Sequence, residues 1–269
     1  MAQQQLSAER RFGGLDRLYG AGSLTRLQAA HVMIAGIGGV GSWCVEALAR
    51  SGIGRLTLID LDHVSESNIN RQLPALGSTI GQAKIEAMRN RILDINPDCE
   101  VTLVDDFIGP ENVLALLEAQ PDVLIDCTDQ AEAKIAMIMQ AKRQRVKVYV
   151  CGAAGGKTDV LALKRGDLSQ STHDALLAKL RSRLRKEQGF AKAQPKAGKS
   201  PARIPKMGVE VFWVEQNAVL PAAWQTGAAA QGPQGLSCAG YGSSVTITAP
   251  MGFAAAQAAL DYILAKKTR

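Results

Sequence analysis

The chain has 269 residues, 46% hydrophobic and 21% charged, enough for one large α/β domain or a main domain with an appended segment. Its formal net charge of +6 is unevenly spread. Ten Lys and Arg against one acid, Glu187, lie between Lys179 and Lys206, so a body of −3 carries a segment of +9. The five cysteines, Cys44, Cys99, Cys127, Cys151 and Cys238, are odd in number and form no C-x-x-C pair, which argues against a disulfide framework and a structural zinc ribbon. Residues 1–11 are polar, without the apolar centre of a signal peptide. The longest apolar stretch, 245–264, holds Pro250, Gln257 and Asp261 and reads as a buried terminal helix rather than a membrane span, so the cytoplasm is the expected compartment.

From Ala30 to Val150, apolar runs alternate with helical patterns, the order of a mainly parallel sheet flanked by helices. Strands are expected at His31–Ala35, Arg55–Asp60, Val101–Asp105, Val123–Asp126 and Val146–Cys151. One helix should run from the glycine turn to about Arg50. Another should run from Gln82 to about Ile95, stopping at Asn96-Pro97. This is a Rossmann-like α/β series with a nucleotide-binding core of about 28–152. The extension, about 153–269, should be mixed: a strand at Thr158–Leu163, a basic amphipathic helix at Asp174–Lys186, a mobile basic loop at about 188–206, a strand at Val209–Val214, a loop at Gly227–Ser244 and the terminal helix. No internal repeat interrupts residues 1–269, which read as a single domain.

Gly36, Gly38 and Gly41 fit G-x-G-x-x-G after a strand and before a helix, with Asp60 at the end of the next strand. Glycines let the backbone approach a phosphate, the helix start offers free N–H groups, and the acid accepts from a ribose. Alone, this pattern favours NAD or FAD. The continuation changes the chemistry: Asp60-Leu-Asp62, then Asn68-Ile-Asn70-Arg71-Gln72, then Gly81-Gln-Ala-Lys84. A hydride-transfer enzyme has no need of Arg71 and Lys84 at the far end of its nucleotide. An enzyme cleaving ATP between the α- and β-phosphates needs a planar fork and a compact charge for the departing pyrophosphate. Asp126 and Asp129, where a strand ends over the sheet, suit Mg2+. Singly, Arg71 and Lys84 read as solvated charges and Asp129 as a helix cap; the ordered set reads as a site.

The run G-x-G-G-x-G (including Gly39), D-x-D, N-x-N-R-Q, G-x-x-K and D-x-x-D resembles the ThiF-type adenylyltransferases that include ubiquitin-activating enzymes, over about Arg11 to Cys151. That resemblance implies ATP-dependent adenylation of a carboxylate. Asp60 would hold the ribose, Asn68, Arg71 and Lys84 would meet the phosphates, and Asp129 would bind magnesium. It also implies a homodimer in which an N-terminal arginine, Arg11 or Arg17, reaches the partner's ATP; Gly14 stands where another arginine would be expected.

Members activating sulfur-carrier proteins typically carry two C-x-x-C pairs, absent here. The basic segment, Arg11-Phe-Gly-Gly, Val104-Asp-Asp-Phe107 and Gly235-Leu-Ser-Cys238-Ala-Gly-Tyr instead resemble the branch that dehydrates threonylcarbamoyladenosine in tRNA. Under that resemblance the substrate is the threonyl carboxylate of the modified adenosine, and the product is its cyclic form. Arg181, Arg183, Arg185 and Lys186 are then candidate tRNA contacts, and Cys238 a candidate catalytic thiol. Two alternatives stay open: adenylation of the C-terminal glycine of a ubiquitin-like sulfur carrier, or a non-catalytic sulfur-relay scaffold with a cysteine desulfurase or sulfur acceptor as partner.

Overall fold

A computed structural model describes residues 8–192, 204–220 and 238–266, without the side chains of 238–239. Seven strands form one sheet in the order β3-β2-β1-β4-β5-β7-β6. They are β1 (His31–Ala35), β2 (Arg55–Ile59), β3 (Glu100–Val104), β4 (Val123–Asp126), β5 (Lys147–Cys151), β6 (Leu163–Asp167) and β7 (Glu210–Val214). All neighbouring pairs are parallel except β6 with β7. The central strand β1 is buried along its whole length, as a strand covered on both faces must be.

Alternation along β1 assigns the layers. Val32 and Ile34 face a core built with α3 (Ser23–Ala29), α4 (Gly41–Arg50), α5 (Lys84–Ile95) and the terminal helix, Val245–Ala265. Met33 and Ala35 face the opposite core, under α6 (Val113–Leu117) and α7 (Ala131–Gln144). A third cluster packs α8 (Ala175–Glu187) on α7 and β7 through Leu177, Leu180 and Leu184. At the N-terminus, α1 (Ala8–Phe12) and α2 (Gly14–Tyr19) precede α3, and a short helix, α9 (Cys238–Tyr241), precedes the terminal helix, α10.

Helix α10 lies hard against α4. A methyl group at Gly252 would come within 2.4 Å of the Val40 carbonyl oxygen. Tyr149 donates its hydroxyl to the Ala258 carbonyl at 2.9 Å, tying α10 to β5. No helix among the described residues is long and apolar enough to cross a membrane.

Two expectations shift. The strand expected at 158–163 is a 3-10 turn at Val160–Ala162, capped by Asp159, and β6 begins only at Leu163. Its residues Lys164 and Arg165 are exposed on an edge strand, so no apolar run marks it. The loop expected across 227–244 contains α9, while residues 221–237, like 193–203 of the basic loop, lie outside the described residues.

Candidate functional site

A cavity of about 300 Å³ opens at the C-terminal ends of the parallel strands, where open α/β sheets place ligands. The glycine turn forms one side. Gly36 has φ +84°, and a side chain there would meet the Cys127 carbonyl at 3.0 Å. At Gly41 a methyl would sit 1.8 Å from the Gly36 carbonyl oxygen, so only glycine closes the strand-to-helix turn. Gly36, Gly38 and Gly39 line the cavity; Gly41, expected among the nucleotide contacts, stands behind the wall and shapes the turn instead. At Gly38 a methyl would meet no protein atom, so the space beside it is free for a ligand.

Asp60 anchors the turn. Its Oδ2 accepts the Ile37 N–H at 2.6 Å and its Oδ1 accepts the Asp62 N–H at 2.8 Å. Burial pushes its pKa above the ordinary aspartate value, with the Lys84 charge and these two N–H groups offsetting part of the effect. Lys84 is buried at the start of α5, its Nζ 2.7 Å from Asp62 Oδ2 and 4.0 Å from Asp60 Oδ1. Both Lys84 and Arg71 line the cavity, together with Asp62 and Asn68. Asn68 Oδ1 accepts the Ser65 N–H and closes a capping box on the 3-10 turn Glu66–Asn68. Arg71 is aimed by its surroundings: one guanidinium nitrogen donates to Ser67 O at 2.7 Å and Asn70 Oδ1 at 3.0 Å. The Arg71 carbonyl takes the Trp43 indole N–H at 3.0 Å and the Thr248 hydroxyl at 3.3 Å.

The two acids after β4 part company. Asp126, expected as a second magnesium holder, is fully buried and pairs with Lys134 at 3.0 Å, so it is spent inside the protein. Asp129 is exposed, lines the cavity and makes no hydrogen bond or ion pair among the described residues. A free hard-oxygen ligand beside a phosphate-sized space fits Mg2+, which binds one or two carboxylates plus substrate phosphates. No cluster of three or more His, Cys, Asp or Glu suited to holding a metal occurs among the described residues, so phosphate would have to complete such a site.

The extension supplies walls that motif reading missed. Gly152, Ala153 and Ala154 leave β5 into the cavity, Leu176 enters from α8, and Ser243 and Thr248 come from the start of α10. Asp106 and Phe107, noted only for their resemblance, line it as well. Asp174 caps α8 through Leu177 N–H at 2.9 Å and holds Ala153 N–H at 2.8 Å. Aspartate just before an amphipathic helix signals a cap, but nothing in the sequence ties it to the Ala153 loop.

The basic helix is less free than its sequence suggests. Arg181 donates to the backbone of Leu168 and Ser171, bracing a 3-10 turn rather than offering its charge outward. Arg183 pairs with Glu187 at 3.0 Å and Arg185 Nε donates to the Ala191 carbonyl, while Lys186 is exposed. At the N-terminus, Arg11 caps α5 through the carbonyls of Asp94 and Ile95, while Arg17 is exposed. The Cys238 side chain lies outside the described residues.

Comparison with known proteins places the chain in a family. The chain is 44% identical over 261 residues to the tRNA threonylcarbamoyladenosine dehydratase of Haemophilus influenzae, covering 97% of this chain and 95% of that one. It is 40% identical over 264 residues to the Escherichia coli protein of the same name, covering 96% and 95%. The crystal structure of that E. coli enzyme in complex with ATP superposes with a TM-score of 0.82 at 38% identity, covering 96% of this chain and 95% of that one. The ThiF family pattern matches residues 13–269, so the chain belongs to the ThiF family.

Proposed function

We propose that the protein is an ATP-dependent dehydratase that cyclises N6-threonylcarbamoyladenosine in tRNA by adenylating its carboxylate. The observation that carries this reading is the convergence of Arg71 and Lys84 with the glycine turn and Asp60 on one cavity. Relatives with this activity match nearly the whole chain, the cavity walls contributed by the extension included.

A free carboxylate resists attack because oxide is a poor leaving group. In the proposed reaction a carboxylate oxygen bonds to the α-phosphorus of ATP and the bond to pyrophosphate breaks. A side-chain nitrogen then attacks the carbonyl carbon, AMP leaves, and the nitrogen gives up its proton. One water is lost overall as ATP becomes AMP and pyrophosphate. Holding nucleophile and carbonyl on one side chain lowers the entropic barrier to ring closure. Asp60 accepts from the ribose, Gly38 and its neighbours admit the phosphates, and Arg71 and Lys84 take the charge of the departing pyrophosphate. Asp129 is the residue to hold Mg2+, which when bound neutralises phosphate charge. Ring closure needs no covalent enzyme intermediate, so Cys238 has no required step.

The tRNA faces the basic segment, where Lys186 is exposed and Arg183 is held only by a surface pair of the weak kind. We place the enzyme in the cytoplasm, as a homodimer in which Arg17 rather than Arg11 is free to meet the partner's nucleotide.

Four outcomes test this reading. Incubation with ATP, Mg2+ and threonylcarbamoyl-tRNA should release AMP and give a nucleoside lighter by one water, with Arg71→Ala or Lys84→Ala lowering kcat by about 10²–10³. A sulfur-carrier protein in place of the tRNA should not stimulate AMP release; stimulation by that protein alone would reverse the assignment. Because burial raises the Asp60 pKa, its ionised, ribose-accepting form should be lost on acidification at a higher pH than for a free aspartate. ATP affinity measured by calorimetry should therefore fall with pH through that raised value, and Asp60→Asn should flatten the dependence. Replacing Arg183, Arg185 and Lys186 together with Gln should weaken tRNA binding and reduce its salt dependence while leaving ATP affinity unchanged; equal tRNA affinity would remove this helix from the interface.

A further inference from the structure

Beneath the cavity floor lies a charged pair with no step in the adenylation chemistry. Lys134 in α7 and Asp126 at the end of β4 are both fully buried. The ammonium sits 3.0 Å from Asp126 Oδ1 and donates to the carbonyl of Cys151, at the end of β5, at 2.9 Å. Asp126 Oδ1 also accepts the N–H of Thr128 at 3.0 Å and its hydroxyl at 2.7 Å. Its Oδ2 is buried without a hydrogen-bond partner.

These contacts reach two neighbouring walls of the site, the loops that follow β4 and β5. Thr128, Asp129 and Gln130 form one; Gly152, Ala153 and Ala154 form the other. The second wall is also held by Asp174, whose Oδ2 accepts Ala153 N–H at 2.8 Å. Burial pushes the Asp174 pKa up, and its backbone donors with the Lys157 and Lys134 charges offset only part of that. One buried ammonium thus ties Asp126, which fixes the backbone of the first wall, to the Cys151 carbonyl, where the second wall begins.

Stability alone gives little reason for the arrangement. Strands β4 and β5 already share four registered residue pairs, and apolar clusters cover both faces of the sheet. A buried ion pair is commonly matched or exceeded in stability by apolar side chains of similar volume. What apolar residues cannot supply is direction, a fixed heading for the first peptide groups of two neighbouring loops.

We infer that Lys134 is a positioning residue for carboxylate adenylation, holding the Thr128–Gln130 and Gly152–Ala154 loops at the spacing that the substrate carboxylate and the α-phosphate require. This rests on the adenylation reading of the site. The lysine does not touch substrate; it acts through Asp126 and the Cys151 carbonyl.

The test compares wild type with the paired replacement Asp126→Leu/Lys134→Met and with Lys134→Gln. Each is measured for thermal midpoint, affinity for a non-hydrolysable ATP analogue, kcat for dehydration, and the Mg2+ concentration giving half-maximal rate. The paired replacement removes both charges together and should melt near the wild-type temperature. It should bind the analogue within about threefold of wild type, because the glycine turn and Asp60 are untouched, yet lose about 10–100-fold in kcat, the range seen when a partner orienting an active-site ligand is removed. It should also need more Mg2+, because Asp129 is carried on the displaced loop. A stable pair variant turning over at the wild-type rate overturns the inference. Should the pair variant not fold, Lys134→Gln decides: it keeps one neutral donor in nearly the same space, and an unchanged kcat and Mg2+ requirement would overturn the inference equally. Wild-type enzyme that dehydrates nothing would instead strike the functional reading on which the inference stands.

Discussion

The site is organised by one buried carboxylate. Asp60 follows β2 directly, with one oxygen on the Ile37 N–H and the other on the Asp62 N–H. The first bond fixes the glycine turn; the second fixes the start of the segment that carries Asn68, Arg71 and, one strand-like bridge later, Lys84. A charge held this far from water is costly unless it is hydrogen-bonded and paired. Two backbone donors and the Lys84 ammonium meet that condition. The groups that compensate the burial of Asp60 are thereby the ones that place the phosphate-binding residues. The glycine turn and the placement of Lys84 share one physical origin.

The extension is part of the same construction. Strand β7 joins the sheet beside β5, and α10 packs on α4 directly behind the glycine turn. From there Thr248 holds the Arg71 carbonyl, and Asn70 donates to Ser243 O at 2.7 Å. The segment that places Arg71 on the cavity is therefore held by residues 173 and 177 positions later in the chain. A nucleotide half without this extension would keep the glycine turn and lose the wall that aims the guanidinium.

What was legible in the sequence follows from range. Consecutive apolar runs located the five parallel strands from β1 to β5 within a residue or so: β1, β2 and β4 are buried almost throughout, and the edge strand β3, though half-exposed, still carries Val101, Leu103 and Val104. That the glycine turn, Asp60, Arg71, Lys84 and Asp129 meet at one cavity was legible because their spacing encodes a single local path over the strand ends. Edge strand β6 was not, since Lys164 and Arg165 point to solvent and carry no apolar signature. Asp126 was read as a magnesium holder for a related reason: an acid at a strand end looks open to a ligand, and only the packing of α7 on β4 shows it inside, paired with Lys134. Arg181 and Arg11 make the same point, for each spends its charge on backbone carbonyls that are distant in sequence or out of register with it. Charge is visible in a sequence; its destination is a tertiary fact.

The account stands or falls on which phosphorus atom the carboxylate attacks. Threonylcarbamoyl-tRNA labelled with a heavy oxygen isotope in its carboxylate, turned over with unlabelled ATP in ordinary water, reports this directly. Attack at the α-phosphorus followed by ring closure must leave one labelled oxygen in AMP, as read by mass spectrometry of the nucleotide. Unlabelled AMP, or label appearing in inorganic phosphate, would contradict carboxylate adenylation in this cavity.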